Sequence, residues 1–225
     1  MSLRGTAFIV IWHDLIAGSE SEFERWHTEE HMPERLGVPG FLRGSRYMNW
    51  KQSPHVCFTL YELAHIETFR SPGYLARLNA PTDWSNRVQP SMTNFLRGAC
   101  ETVVSLGDGT AGAVATLRIR IDAEASQASR VDLAVASFKV FDLPGVTSVH
   151  LGSHQAALAN APTGETAIRP PPSQTAFDFV WIVEAVDLAT LEREAGRIEA
   201  LATAAGAASI DFAAYQLGFQ LRAPV

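Results

Sequence analysis

Pro39-Gly40-Phe41 and Pro144-Gly145-Val146 decide the architecture of this chain. Each Pro-Gly pair follows a helix-like pattern and precedes a strand-like one, and the two stand 105 residues apart in a chain of 225. Such pairs are strong turn punctuation, because proline fixes one backbone angle and glycine accepts the conformations other residues avoid. Working outward from the first turn, Thr6 to Trp12 is rich in β-branched and aromatic residues and reads as a buried strand. Ser19 opens a helix running to about His31, with Glu22 three residues on as a capping box. Met32-Pro33 should end or kink it, since proline disfavours α backbone in the residue before it. Phe41 to Trp50 and His55 to Leu63 read as strands on either side of a Ser53-Pro54 turn. A broken helix from His65 to Asn79, restarted at Pro72, leads through a loop, Ala80 to Met92, to a fourth strand, Thr93 to Leu106.

Gly107-Asp108-Gly109-Thr110-Ala111-Gly112 places three glycines in six residues and reads as a linker. After it the order repeats: strand Ala113 to Ile121, helix Ala125 to Phe141, strands Val146 to His154 and Phe177 to Val186, and strand Ile210 to Leu221. Between the last two strands, Asp187 caps a helix to about Ala205, with Leu188, Leu191, Ala195, Ile198 and Ala202 at helical spacing. The expected fold class is α+β. Two ferredoxin-like βαββαβ units, residues 1–106 and 113–225 joined by the 107–112 linker, pack sheet to sheet as an intrachain barrel. The expected strand order in each unit is 4-1-3-2, which separates Cys57 from Cys100 and makes both buried small hydrophobes rather than a disulfide. The second copy carries an insertion, Gln155 to Thr175, whose Pro170-Pro171-Pro172 argues for a long loop and against helix or strand.

Hydrophobic residues make up 47% and charged residues 19%, enough apolar material for a buried core. The net charge of −6 and the lack of any basic run argue against nucleic acid as a partner. No apolar run approaches the roughly 20 residues a bilayer requires, so no membrane partner is expected. Ala7 to Trp12 follows Arg4 as a signal peptide might begin, but the run is short and His13 and Asp14 break it. A cytoplasmic location is the expectation, with a small-molecule ligand as partner.

The first helix carries the chemistry. It reads Phe23-Glu24-Arg25-Trp26-His27-Thr28-Glu29-Glu30-His31-Met32-Pro33-Glu34. On a regular helical wheel Phe23 and Trp26 define the apolar face; His27, Glu30 and Glu34 fall close to Phe23, and His31 lies beside them. Ionisable groups on a core-facing arc must find partners. Paired His and Glu beside a cavity are general acid–base equipment, and His27, Glu30, His31 and Glu34 are the candidate catalytic set. Two blander readings stand beside this one: a rim of ordinary surface ion pairs, and a metal site, since His27-Thr28-Glu29-Glu30-His31 fits H-x-x-E-H. The second copy does not repeat the stripe; at the same offset stand Asp132, Val135, Ala136 and Lys139. Arg46, Tyr61 and Trp84 are candidate substrate-binding residues. His55, Cys57, Thr59 and Tyr61 share one strand face, unusually polar for a core, that faces either a cavity or solvent. His150 and His154 read as surface or loop residues.

The stretch Trp26 to Glu34, followed by Pro39-Gly40-Phe41 and Arg46-Tyr47, resembles the dimeric α/β-barrel superfamily, most closely its EthD-like and related members with a histidine-containing helix before a Pro-Gly turn. That resemblance covers about the first 100 residues. It implies a barrel made by two ferredoxin-like units, here fused, with a pocket between sheet and helices of one unit. It maps His31, and less closely His27, to the family's helix histidine. It implies a small-molecule enzyme of oxygenase, isomerase or lyase type acting on a small apolar or aromatic substrate, and it is compatible with self-association of the fused unit. A non-catalytic ligand-binding or assembly module is the alternative, and a haem protein a second. The sequence calls for no cofactor, and haem and metal both stay open.

Overall fold

The computed structural model describes residues 3–122, 126–159, 162–170 and 177–224. The eight strands are β1 (Ala7–Leu15), β2 (Phe41–Met48), β3 (Cys57–Leu63), β4 (Met92–Leu106), β5 (Ala113–Arg120), β6 (Val146–His154), β7 (Phe179–Ala185) and β8 (Ser209–Arg222). They form a closed barrel in the order β1-β3-β2-β8-β5-β7-β6-β4. Within each copy this is the expected 4-1-3-2 order, and the fold is that of two ferredoxin-like units in one chain. Cys57 and Cys100 are both free and buried.

The chain divides into two compact units. The first holds Arg4–Cys100, the 155–170 segment and the stretch after Gly218; the second holds Glu101–His154 and 177–217. In the first unit β1 and β2 both pair antiparallel with β3. Alternation along β1 puts Ala7, Ile9, Ile11 and His13 on the helix-bearing face and Phe8, Val10 and Trp12 on the other. Against the first face pack α1 (Glu20–Trp26), a π turn (His27–His31), α2 (Met32–Leu36), α3 (Pro72–Asn79) and α4 (Asp83–Val88). Met32, Leu36, Phe41, Tyr61, Phe69, Tyr74 and Leu78 form one apolar cluster there, and Phe23, Trp26, Met48, Val88, Met92 and Phe95 another. On the opposite face Arg43 is ion-paired with Glu62, both buried.

In the second unit α5 (Ser126–Phe141) and α8 (Leu188–Ala204) cover a sheet in which β5 pairs with β7 and β8, and β6 with β7. Its core is apolar, built on Leu117, Leu133, Ala136, Val140, Leu151, Trp181, Leu191 and Ile198. Asp187 caps α8 as expected, accepting from the Thr190 amide at 2.8 Å.

The repeat is as clear in backbone detail as in order. Gly40 has φ +96° and Gly145 has φ +81°, the left-handed region that only glycine enters freely. A Cβ at Gly40 would strike the Thr68 side chain, and one at Gly145 the Thr190 side chain. Each turn opens a strand whose register slips at once, between Phe41 and Arg43 and between Val146 and Ser148. Such a bulge re-aims every later side chain. It is why Phe41, Gly44 and Arg46 share the helix-bearing face of β2, which simple alternation does not give.

Four local expectations are corrected. Ser19 makes no side-chain cap; its hydroxyl donates to the Ile16 carbonyl at 2.6 Å, and Glu22 instead accepts from Trp84 Nε1 at 2.7 Å. The loop from Ala80 to Met92 contains α4, capped by Thr82, because Thr82-Asp83 is itself a helix start. The insertion contains α6 (Ala156–Ala159) and α7 (Gly164–Ile168), the latter opened by a capping box between Thr163 and Thr166. Its prolines Pro171 and Pro172, like Ala125 at the expected start of α5, lie outside the described residues. His150 is fully buried, with Nδ1 3.0 Å from Ser105 Oγ. A strand-end histidine reads as exposed only if the strand ends there, and β6 continues to His154.

Gly44 lets the helices approach β2. A Cβ there would lie 2.9 Å from Tyr61 Cε1 and 3.0 Å from Met32 Sδ. Gly44→Ala is expected to lower stability by about 1–3 kcal/mol through overpacking, read as a shift of the urea midpoint.

Candidate functional site

The α1–α2 run is one continuous helical path widened at His27–His31 into a π turn, in which the Met32 amide reaches back to the His27 carbonyl. The turn stands immediately before Pro33. In a regular α-helix that proline has no N–H to give, and its ring crowds the carbonyl four residues back, that of Glu29. The wider turn accommodates one residue more than an α turn, so every side chain after it is rotated by about 100° from its place on a regular wheel. Arg35 therefore takes the inward position the wheel assigns to Glu34. Met32 and Leu36 also turn inward and join the apolar cluster.

The inward side chains open onto a pocket between β1, β3, β4 and the helices. His13, His27 and His31 line it with Tyr61, Tyr74, Phe41 and Phe95. Arg35, Arg97, Glu165 and Arg169 line it as well. The last two come from α7 and the residue following it, so the inserted segment supplies part of the wall.

All three histidines are buried. The Trp26 and His31 rings lie tilted against each other with centroids 4.2 Å apart, and those of His27 and His31 are 5.6 Å apart. His27 Nε2 lies 3.4 Å from the Tyr61 hydroxyl, and its Nδ1 has no hydrogen-bond partner among the described residues. The same holds for His31 Nδ1 and His13 Nε2. His13 Nδ1 lies 3.0 Å from the Asp14 carbonyl oxygen. A carbonyl only accepts, so that nitrogen carries the proton. Burial lowers the pKa of each ring. For His13 it falls to about 4, with the Asp14 contacts opposing. For His27 it falls well below 6.5, with the Arg46 charge adding to burial. For His31 it also falls well below 6.5, with Arg35 adding to burial. All three are neutral at pH 7 and can accept a proton. Tyr61 is pushed the other way by burial and stays protonated.

The remaining sequence candidates are placed as follows. Glu30 accepts from the Thr82 hydroxyl at 2.6 Å and does not line the pocket. Glu34 pairs with Arg35 at 3.3 Å and Arg77 at 3.7 Å, outside the lining, and burial raises its pKa. Arg46 reaches the Glu24 carbonyl and the Thr28 hydroxyl. Trp84 lies over Arg25 at the outer side of α1. Thr59 and Tyr61 line the pocket, so the polar strand face points to a cavity. Among the described residues no three His, Cys, Asp or Glu side chains converge as a metal site, so H-x-x-E-H finds no third donor.

Sequence reasoning missed Arg35, Arg97, Glu165 and Arg169. Arg35 was hidden by the π turn, for which only Pro33 gives a signal. Glu165 and Arg169 lie some 130 residues from Arg35 in a segment that reads as loop. Glu165 is ion-paired with both Arg35 and Arg169, the latter at 3.0 Å, and Arg169 lies 4.2 Å over the Phe95 ring.

The sequence matches no protein-family model. A comparison with curated proteins finds no significant match. Solved structures do match across nearly the whole chain. An anthrone oxidase-like protein aligns over 99% of this chain and 96% of its own at TM-score 0.69 and 10% identity. A monooxygenase candidate from Fusobacterium nucleatum aligns over 97% and 95% at 0.56 and 12%. A variant chlorite dismutase from Candidatus Nitrospira defluvii aligns over 95% and 91% at 0.58 and 10%. The chain has the dimeric α/β-barrel fold, with both ferredoxin-like copies in one polypeptide. No helix among the described residues is long and apolar enough to cross a membrane.

The neutral histidines make stability depend on pH in one direction. Between the unfolded pKa near 6.5 and the lower folded value, the unfolded chain binds more protons, so stability is lost as pH falls. For His13, whose folded value is about 4, the loss from pH 7 to pH 4 is on the order of 3 kcal/mol. Urea unfolding of His13→Asn is expected to show a flatter pH dependence than the native chain across this window; equal slopes would remove His13 from the account.

Proposed function

We propose that the first unit is a cofactor-independent enzyme that removes a proton from a small aromatic substrate activated by a carbonyl or phenol group. The observation that carries this reading is a neutral, buried His27–His31 pair in an aromatic-walled pocket that also holds guanidinium groups. His31, at 9% exposure against 3% for His27, is the more open of the two and is the general base. The substrate C–H or O–H bond breaks toward the His31 imidazole, and its electron pair passes into the ring system and onto oxygen. The imidazolium takes the proton, and Arg35 faces the new oxyanion. His27 and the protonated Tyr61 support the base from the far side. Glu30, held by Thr82, does not orient His31 by any described hydrogen bond. The anion so formed can be reprotonated elsewhere, as in an isomerase, expel a group, as in a lyase, or meet dioxygen, as in an oxygenase. Anthrone, named in the description of one structural neighbour, carries a CH₂ acidified by a carbonyl through two aromatic rings and is a substrate of this kind.

Haem does not suit this donor set. An axial histidine needs a free nitrogen facing an apolar slot. One nitrogen of His27 faces the Tyr61 hydroxyl and the other is sealed. His31 has one sealed nitrogen, and the charges of Arg35 and Arg169 act on its ring.

The test is proton exchange. Anthrone held under argon in D₂O should lose its CH₂ signal faster with the native chain than without it, and His31→Ala should slow the catalysed exchange about 10²–10⁴-fold. His27→Ala should slow it less. Undiminished exchange in the doubly substituted chain would sink the proposal. Binding without exchange would favour the non-catalytic module. A Soret band that disappears with His31→Ala would restore the haem reading.

A further inference from the structure

The charges lining the pocket do not balance. Arg35, Arg97 and Arg169 face one carboxylate, Glu165, among the lining residues. Glu165 is shared by Arg35 and Arg169, and Arg35 also has Glu34. Arg97 has no carboxylate partner among the described residues. It donates to the Tyr74 hydroxyl at 2.8 Å and lies 5.2 Å over the Phe69 ring and 5.6 Å over the Tyr74 ring. These contacts fix the guanidinium without neutralising it. Arg169 is positioned the same way, over Phe95. The Arg169 pKa is lowered to about 10, first by burial, with the charges of Arg97 and Arg35 pushing further against Glu165. Two guanidiniums lining one pocket, one sharing its carboxylate with Arg35 and the other paired with none among the described residues, make a site for an anion.

We propose that Arg97 and Arg169 form a carboxylate subsite, so that the substrate of the first unit is an aromatic acid. The proposal rests on the reading of the pocket as a site for a small aromatic molecule and names the group that anchors it. Carboxylate is favoured because it is what Arg169 already holds in Glu165, and because a planar guanidinium fork matches it with two parallel hydrogen bonds.

Calorimetric titration of the native chain at pH 7.5 with 2-naphthoate and with its neutral counterpart 2-naphthamide tests this. The acid is expected to bind tenfold or more tightly than the amide. Arg97→Gln, a change at a half-exposed residue, should reduce that ratio to about twofold or less, and Arg97→Lys should retain part of it. Arg25→Gln, an exposed arginine on α1 outside the pocket lining, should leave the ratio unchanged. Equal binding of the two probes by the native chain, binding of neither, or an undiminished ratio in Arg97→Gln would each overturn the subsite. Exchange that depends on His31 without a preference for the acid would overturn the subsite and leave the proposed function standing. A preference lost in Arg97→Gln, without exchange, would do the reverse.

Discussion

The proline at position 33 cannot donate a backbone hydrogen bond, and much of the first unit follows from how the helix meets that constraint. Widening the turn before it by one residue keeps the helix going to Leu36 where a simple stop is the alternative. The cost of a longer, poorer hydrogen bond is local. The gain is that three later residues, Met32, Arg35 and Leu36, turn toward the sheet. Two of them extend the apolar cluster, and the third carries a guanidinium to the pocket wall, where a regular helix would have placed the Glu34 carboxylate. A pocket wall that carries a guanidinium where a regular helix would carry a carboxylate is thus tied to one irregular turn.

The same turn marks where sequence reading reaches its limit. Patterns that repeat every two residues or every three to four are insensitive to small errors, so the eight strands, the long helices and the two Pro-Gly turns are legible, as is the inward placing of Phe23, Trp26, His27 and His31, though not of Glu30. Everything that depends on phase after an irregularity is not. The wheel runs through Met32-Pro33 as if nothing happened and picks Glu34 where the structure uses Arg35. The bulge after Phe41 misleads in the same manner along β2. A third kind of loss is distance: nothing in the neighbourhood of Glu165 connects it to a helix 130 residues earlier, and its ion pair with Arg35 exists only once the chain is folded.

The two copies answer the same packing problem in different ways. Where the first unit has Arg35, the second, at the same offset of 105, has Val140; where the first has His31, the second has Ala136. Both are buried. The second unit's helix α5 runs without a π turn, and its interior closes over Leu133, Ala136 and Val140. Buried ionisable groups cost stability unless partnered. The first unit carries three such histidines around its pocket and an Arg–Glu–Arg cluster, and the second has an aliphatic core in the corresponding place.

Fusion has a consequence for how such a protein can change. In a symmetric dimer one gene specifies both subunits, so a substitution that sharpens a pocket also appears in its twin, and any loss of stability is incurred twice. Here the copies are written separately. A residue exchanged in residues 4–100 leaves its counterpart 105 positions on untouched. The insertion makes the asymmetry concrete: it arises between β6 and β7 of the later copy, yet its helix α7 furnishes Glu165 to the earlier one. A segment with that itinerary could not be shared evenly by two identical subunits without giving each the other's wall, so this pocket is a property of the fused gene and not of either half.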